Sequence, residues 1–151
     1  MANTKAYLRA EEWIRADGLP AKFQQSFAKR RLEVGTRTDG FPAYHEFDAV
    51  SSDAGIVASV KASSGFTAGR KPPDGKIKGA YAELYFLSLV TAPQRFLVLT
   101  DPEFHKIFLD TSDGKRPFGV QLLQITLPEE IQHELAEARA IASREVSPRR
   151  S

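Results

Sequence analysis

Along residues 44–51, YHEFDAVS, polar and apolar side chains alternate, and residues 56–62, IVASVKA, do so less regularly. Alternation with period two marks a strand that buries one face. The two runs flank Ser52-Asp53-Ala54-Gly55, a turn cluster ending in glycine, and so predict a β-hairpin. Pairing Ser51 with Ile56 sets Asp48 opposite Ser59, Glu46 opposite Lys61, Phe47 opposite Val60 and Ala49 opposite Ala58. Glu46, Asp48, Ser59 and Lys61 then share one face, and the other face is apolar enough to pack on a helix. A sheet commonly wets one of its faces, so a solvated surface is one meaning of this quartet. The sharper meaning is an acid, a hydroxyl and an ammonium gathered to hold a metal ion and a phosphate.

The remaining pattern supplies the frame around the hairpin. Tyr7, Ala10 and Ile14, with Trp13 nearby, mark a helical stripe running from a cap at Asn3 or Thr4 to about Asp17. Gly18 is placed to stop that helix, and Leu19-Pro20 to begin a second helical piece, AKFQQSFAKR. Residues 31–37, RLEVGTR, read as a strand with Leu32 and Val34 inward, and Thr38-Asp39-Gly40 as a turn. Three strands joined by short turns predict an antiparallel meander. After the hairpin comes SGFTAGRKPPDGK, aperiodic and rich in Gly, Pro and basic residues. Loops of that length are often functional.

Ile77, Ala80, Tyr81, Leu84, Leu87 and Ser88 trace a helix over residues 76–90, and Tyr85, Phe86, Leu89 and Val90 make its other faces apolar, which predicts burial all round. Glu83 is the one acid on it, and a carboxylate so placed needs a partner: Lys61, Lys78, Arg95 or a metal ion. Residues 95–100, RFLVLT, read as a strand buried on both faces. Asp101-Pro102 opens a helix carrying Phe104, Ile107 and Phe108, residues 120–127 form a last strand, and Pro128-Glu129-Glu130 begins a final helix to about Val146. The tail SPRRS is expected to be disordered. A crossover helix ahead of the strand at 95 makes that strand parallel to a hairpin strand. The predicted fold class is α/β (α+β): a mixed sheet with helices on both faces in the order αβββαβαβα, one domain over residues 1–146 with a tail at 147–151.

Composition narrows the function classes. A chain of 151 residues, 42% hydrophobic and 26% charged, is an ordinary globular domain with one core. The absence of cysteine excludes disulfides and thiolate zinc sites. His45, His105 and His133 lack ligand spacing, and His45 falls on the apolar side of its strand as a packed histidine. No apolar run is long enough to span a bilayer, and the N-terminus lacks the apolar centre of a signal peptide, so no membrane partner is expected and the expected location is cytoplasmic. The net charge of +2 says little about partners. Clustering says more: basic residues gather at 22–31, 70–78, Lys115-Arg116 and Arg149-Arg150. Arg70, Lys71, Lys76 and Lys78, directly after the polar hairpin, are the candidate nucleic-acid contacts, a basic flap over a polyanion.

The order αβββαβ, with an acid in the second strand and x-x-Lys in the third, resembles the PD-(D/E)xK nuclease superfamily over roughly residues 4–101. The motif as it stands here is Phe47-Asp48, then Ser59-Val60-Lys61. The resemblance implies a restriction-endonuclease-like fold and hydrolysis of phosphodiester bonds in DNA with Mg²⁺. It makes Asp48 the metal-binding acid, Lys61 the lysine that positions or activates the attacking water, and Glu11 or Glu12 the helical acid of some members. Two positions depart from the pattern: Phe47 replaces the proline before the acid, and Ser59 replaces the second acid. Some restriction enzymes of the superfamily carry Ser-x-Lys and take the carboxylate from the next helix. Glu83 matches that arrangement, giving Asp48 and Glu83 as metal ligands and Asp48, Ser59, Lys61 and Glu83 as the catalytic set; Glu46 is the other source of charge. The alternative, favoured by Ser59, is a catalytically inactive nuclease fold that binds nucleic acid or a protein partner. Specific cutting by so small a chain implies a homodimer or a partner.

Overall fold

A computed structural model describes residues 4–65 and 73–146. Helix α1, Thr4–Trp13, runs into a wide π-type turn, Ile14–Gly18, and then into a short α2, Leu19–Phe23. Strands β1 (Phe27–Thr36), β2 (Pro42–Ser51) and β3 (Ile56–Lys61) follow, then α3 (Asp74–Ser88), β4 (Gln94–Leu99), α4 (Pro102–Thr111), β5 (Val120–Gln124) and α5 (Glu129–Val146). The five strands form one sheet in the order β1-β2-β3-β4-β5. The first three are antiparallel, and β3, β4 and β5 run parallel. This is the mixed sheet flanked by helices that the pattern predicts. No helix of the described residues is long and apolar enough to cross a membrane.

Two cores sandwich the sheet. On one face α1, the π-type turn, α2 and α5 bury Ala10, Ile14, Leu19, Ile131 and Leu135 against Ala49, Ala58, Phe96 and Val98. On the other, α3 and α4 bury Leu84, Leu87, Phe104 and Phe108 against Phe47, Val50, Val57, Leu97 and Leu99. Both crossover helices lie on this second face, as two successive connections of the same hand require. Asp101 caps α4 as its sequence suggests, accepting from the Phe104 amide at 2.8 Å. His45 packs flat on Phe86, centroids 3.8 Å apart.

Several expectations need correction. Gly18 does not stop the first helix. Its backbone stays helical, and the absent side chain lets Trp13 and Ile125 close in: a Cβ there would meet their side chains at 3.0 and 3.3 Å. The second helical piece ends at Phe23, because Gln24 takes a left-handed conformation (φ 56°, ψ 40°) and its amide closes onto the Pro20 carbonyl. Residues 27–30, expected as helix, are therefore strand. Phe27 and Phe96 both touch the Phe23 ring, with centroids at 6.2 and 5.3 Å, which rewards the extended form. Nor is α3 buried all round, since Tyr85 is 58% exposed. The last strand ends at Gln124 rather than 127. The expected tail at 147–151 lies outside the described residues.

The hairpin keeps its predicted register where it is paired, Ala49 with Ala58 and Val50 with Val57. The facing of its residues changes. Between Val50↔Ala28 and Phe47↔Arg30, β2 takes one residue more than β1, a bulge around Asp48-Ala49. Phe47 is turned into the α3 core while Ala49 stays in the opposite one, so Phe47 does not share a face with Ala49 or oppose Val60.

Candidate active site

The β2–β3 ladder is short and closed at both ends by side chains. At the turn, Ser51 Oγ accepts from the Ile56 amide at 2.9 Å and donates to Asp53 Oδ1 at 2.7 Å, which also accepts from the Gly55 amide. At the other end, where Asp48 and Ser59 would form the next rung, Asp48 Oδ2 accepts from the Val60 amide at 2.7 Å. Pairing with β2 ends there, and β3 continues alongside β4 as far as Lys61↔Leu99. The bulge and this carboxylate–amide bond mark the point where β2–β3 pairing stops, and this break between the two strands, with Asp48 at its edge, is the notch of the site.

Asp48 is half-buried, and that burial is the main reason its carboxyl is pushed up from 3.8 to about 6. The Val60 amide opposes the rise, the charges of Glu11 and Glu83 add to it, and Lys29 opposes it weakly. Carboxylates from two other elements, α1 and α3, thus both act on Asp48. Glu11 is the acid of the Glu11-Glu12 pair that leans toward the sheet; Glu12 is exposed. The Glu11 carboxylate binds Lys29 Nζ at 3.0 Å and Arg15 Nη1 at 3.2 Å, and the same Arg15 nitrogen donates to the Asp48 carbonyl at 2.9 Å. The bond to Glu11, with its charge, holds the Lys29 amine above its ordinary value.

Glu83, half-buried on α3, forms no ion pair with a described residue. Arg95, one expected partner, instead donates to the carbonyls of Leu87, Val90 and Phe118 at 3.1, 3.1 and 3.2 Å. Lys78 is exposed. Lys61 ends β3 and presses on α3 one turn from Glu83: a Cβ added at Gly79 would lie 3.1 Å from its Nζ. Lys61 therefore lies against α3 at Gly79, one turn before Glu83, and the charge of Glu83 reaches Asp48.

The other expected members stand apart. Ser59 is 1% exposed, walled inside the sheet. Glu46 is exposed, and its carboxylate lies 4.0 Å from Lys29 of β1, so it does not complete a rung with Lys61. Of the candidate nucleic-acid contacts, Lys76 is half-buried and donates to Ser64 Oγ at 2.9 Å, Lys78 projects outward, and Arg70 and Lys71 lie outside the described residues. Sequence reasoning missed Lys29 and Arg15 as partners of the acid. Arg15 stands four residues after Glu11, a visible helical pairing, whereas Lys29 was hidden by the helix expected there.

Among the described residues no three His, Asp or Glu side chains converge closely enough to hold a metal ion by themselves. Mg²⁺ does not demand such a cage, because it keeps several waters and is often bound by one or two carboxylates together with substrate phosphates. Asp48, whose carboxyl is pushed up by burial and by the charges of Glu11 and Glu83, is a group that a cation would relieve, as at that kind of site. Comparison with protein-family models, curated proteins and solved structures finds no match for this chain.

Proposed function

We propose that this protein is a Mg²⁺-dependent nuclease of the PD-(D/E)xK type, with a restriction-endonuclease-like fold, that hydrolyses phosphodiester bonds in DNA. One observation carries the reading: the Asp48 carboxyl, bound by the Val60 amide where β2 and β3 part, feels the charge of Glu83, which has no ion pair from a described residue, and Lys61 ends the same β3 strand. A metal ion held by Asp48 and Glu83 would supply polarisation of the scissile phosphate and of a water beside it. The chain's own part is positional and electrostatic. Asp48 is fixed through one carboxylate oxygen by the Val60 amide, and its other oxygen would serve the ion. The Lys61 ammonium, held against Gly79, orients the attacking water and offsets charge developing on the phosphate. Glu11 is kept near by Lys29 and Arg15. Sequence-specific cutting would call for a second copy or a protein partner.

The direct test is nicking of supercoiled plasmid DNA with Mg²⁺ or Mn²⁺ and with EDTA. Cleavage that appears only with the divalent ion is expected; none under any divalent condition removes the proposal. A second reading, an inactive nuclease fold that binds nucleic acid or a protein partner, draws on the neutralisation of Glu11 by Lys29 and Arg15 and on the buried hydroxyl at Ser59. Calorimetric titration with Mg²⁺ separates the two, since the inactive fold takes up no ion at Asp48.

Gly79→Ala is a finer probe. Alanine in a helix interior is favoured over glycine by about 1 kcal/mol. Among the described residues the only close contact of the new methyl is the flexible end of Lys61, at 3.1 and 3.7 Å. Melting temperature is expected to hold or rise while cleavage falls about tenfold, because sub-ångström displacement of a catalytic group is costly. A variant both stabilised and fully active would show that the position of Lys61 is immaterial.

A further inference from the structure

The carboxyl end of β3 carries a second gathering of charge. Lys76, in the first turn of α3, donates to Ser64 Oγ at 2.9 Å. Arg139, on α5 from the opposite face of the sheet, donates to the Ala62 carbonyl. The two cations thus grip the same three-residue segment, 62–64, immediately after Lys61. Neither forms an ion pair with a described residue. Burial, and then the charge of Arg139, hold the Lys76 amine below its ordinary value, opposed only weakly by Asp101. Asp101 itself is engaged in capping α4. The other acid close by, Glu103, lies over Gly65 and is solvent-exposed. Arg139 also keeps its Nε buried without a hydrogen-bond partner. Like charges brought together on one segment, partly out of water, form a place that an anion stabilises.

We propose that Lys76 and Arg139 form an oxyanion site astride residues 62–64 that holds a backbone phosphate of the nucleic acid next to the one at the notch. The proposal rests on the nuclease reading for the identity of the polyanion. Lys76, Gly79 and Glu83 lie along one stripe of α3, seven residues end to end, about 10 Å along the axis. That spacing is within reach of neighbouring phosphates on one strand. The site draws one cation from each face of the sheet, so a strand lying across the sheet's carboxyl edge touches both. A phosphate oxygen there accepts from Lys76 and from the Arg139 guanidinium, whose planar fork suits it.

The test uses the full chain in EDTA, so that it is independent of cleavage. Binding of a short fluorescent DNA duplex is measured across a salt series for the wild type, Lys76→Gln, Arg139→Gln and the control Lys106→Gln, which changes an exposed lysine on α4. Circular dichroism and thermal melting establish that each variant is folded. Each phosphate contact contributes about 0.9 to the slope of log affinity against log salt. Lys76→Gln and Arg139→Gln are each expected to reduce the slope by about that amount and weaken binding at least fivefold at low salt, with Lys106→Gln unchanged. In parallel, inorganic phosphate is titrated against melting temperature. Stabilisation of the wild type that both variants lose supports an oxyanion site. Stabilisation lost in the variants with DNA affinity and slope intact overturns the assignment to a strand phosphate. Folded variants that match the wild type in both measurements overturn the site altogether. Failure of plasmid nicking would strike only the nuclease reading.

Discussion

Lys61→Ala is expected to abolish divalent-dependent cleavage while leaving the protein folded. The Lys61 ammonium forms no ion pair with a described residue, and it lies close to Gly79, which offers it no side chain. Truncation therefore strands no buried partner charge and opens no large cavity, and stability should change by no more than about 0.5 kcal/mol, as at other sites free of buried pairs. Catalysis is another matter. A positioned acid–base or charge-stabilising group contributes roughly 10²–10⁴ in rate. Plasmid nicking by the variant should fall by that factor with its thermal midpoint within a degree or two of wild type. A folded Lys61→Ala protein that nicks DNA at the wild-type rate would falsify the mechanism.

Asp48→Asn should likewise destroy activity, but it should also stabilise the fold. The Asp48 carboxyl is raised from 3.8 to about 6 by burial and by the charges of Glu11 and Glu83. A raised acid pKa means the folded state holds its proton more tightly than the unfolded state. Below pH 4 both states are protonated and the group contributes nothing. Between about pH 4 and 6 the unfolded chain ionises first, and stability declines as pH rises. Above 6 the full penalty applies. At 1.36 kcal/mol per unit the ceiling is about 3 kcal/mol, and solvent screening of a half-buried group reduces it to about 1–2 kcal/mol. Asparagine keeps an oxygen for the Val60 amide and removes the charge, so at pH 7 the melting temperature should rise by about 2–8 °C, with the gain vanishing near pH 4. Mg²⁺ should raise the melting temperature of the wild type and not of the variant, since only a site that binds the ion gains by mass action. Destabilisation of Asp48→Asn at neutral pH would mean the acid cluster is not under electrostatic strain. A function bought with stability in this way is common where charge must wait for a ligand.

The hairpin between residues 44 and 62 illustrates how far the linear pattern reaches. Its turn and its register were legible, because Ser51 and Gly55 bracket a local turn whose closure sets the pairing. The facing beyond Ala49 was not. A bulge puts Phe47 and Ala49 on opposite sides of the sheet, and it is set by how β2 lies against β1, a contact between distant segments. The same limit hid Lys29. Its neighbours AKFQQSFAKR read as helix by local propensity, yet the left-handed Gln24 and the aromatic contacts of Phe23 with Phe27 and Phe96 draw residues 27–30 into the sheet. Glu83 was visible as an anomaly, an acid on an apolar helix. Whether it met Arg95, Lys78 or the notch depended on the packing of α3 against β3.

By itself the sequence determined the element order, the crossover that makes β4 parallel to a hairpin strand, the hairpin register and the presence of an aspartate and a lysine on adjoining strands. Those properties follow from periodicity and turn chemistry, which act over a few residues. Only the tertiary structure decided that Glu11 and Glu83 press on Asp48, that Ser59 is sealed away, and that Lys76 and Arg139 close on one segment from opposite faces of the sheet. Electrostatic fields and burial depend on distances between elements far apart in the chain, and no local pattern encodes those distances.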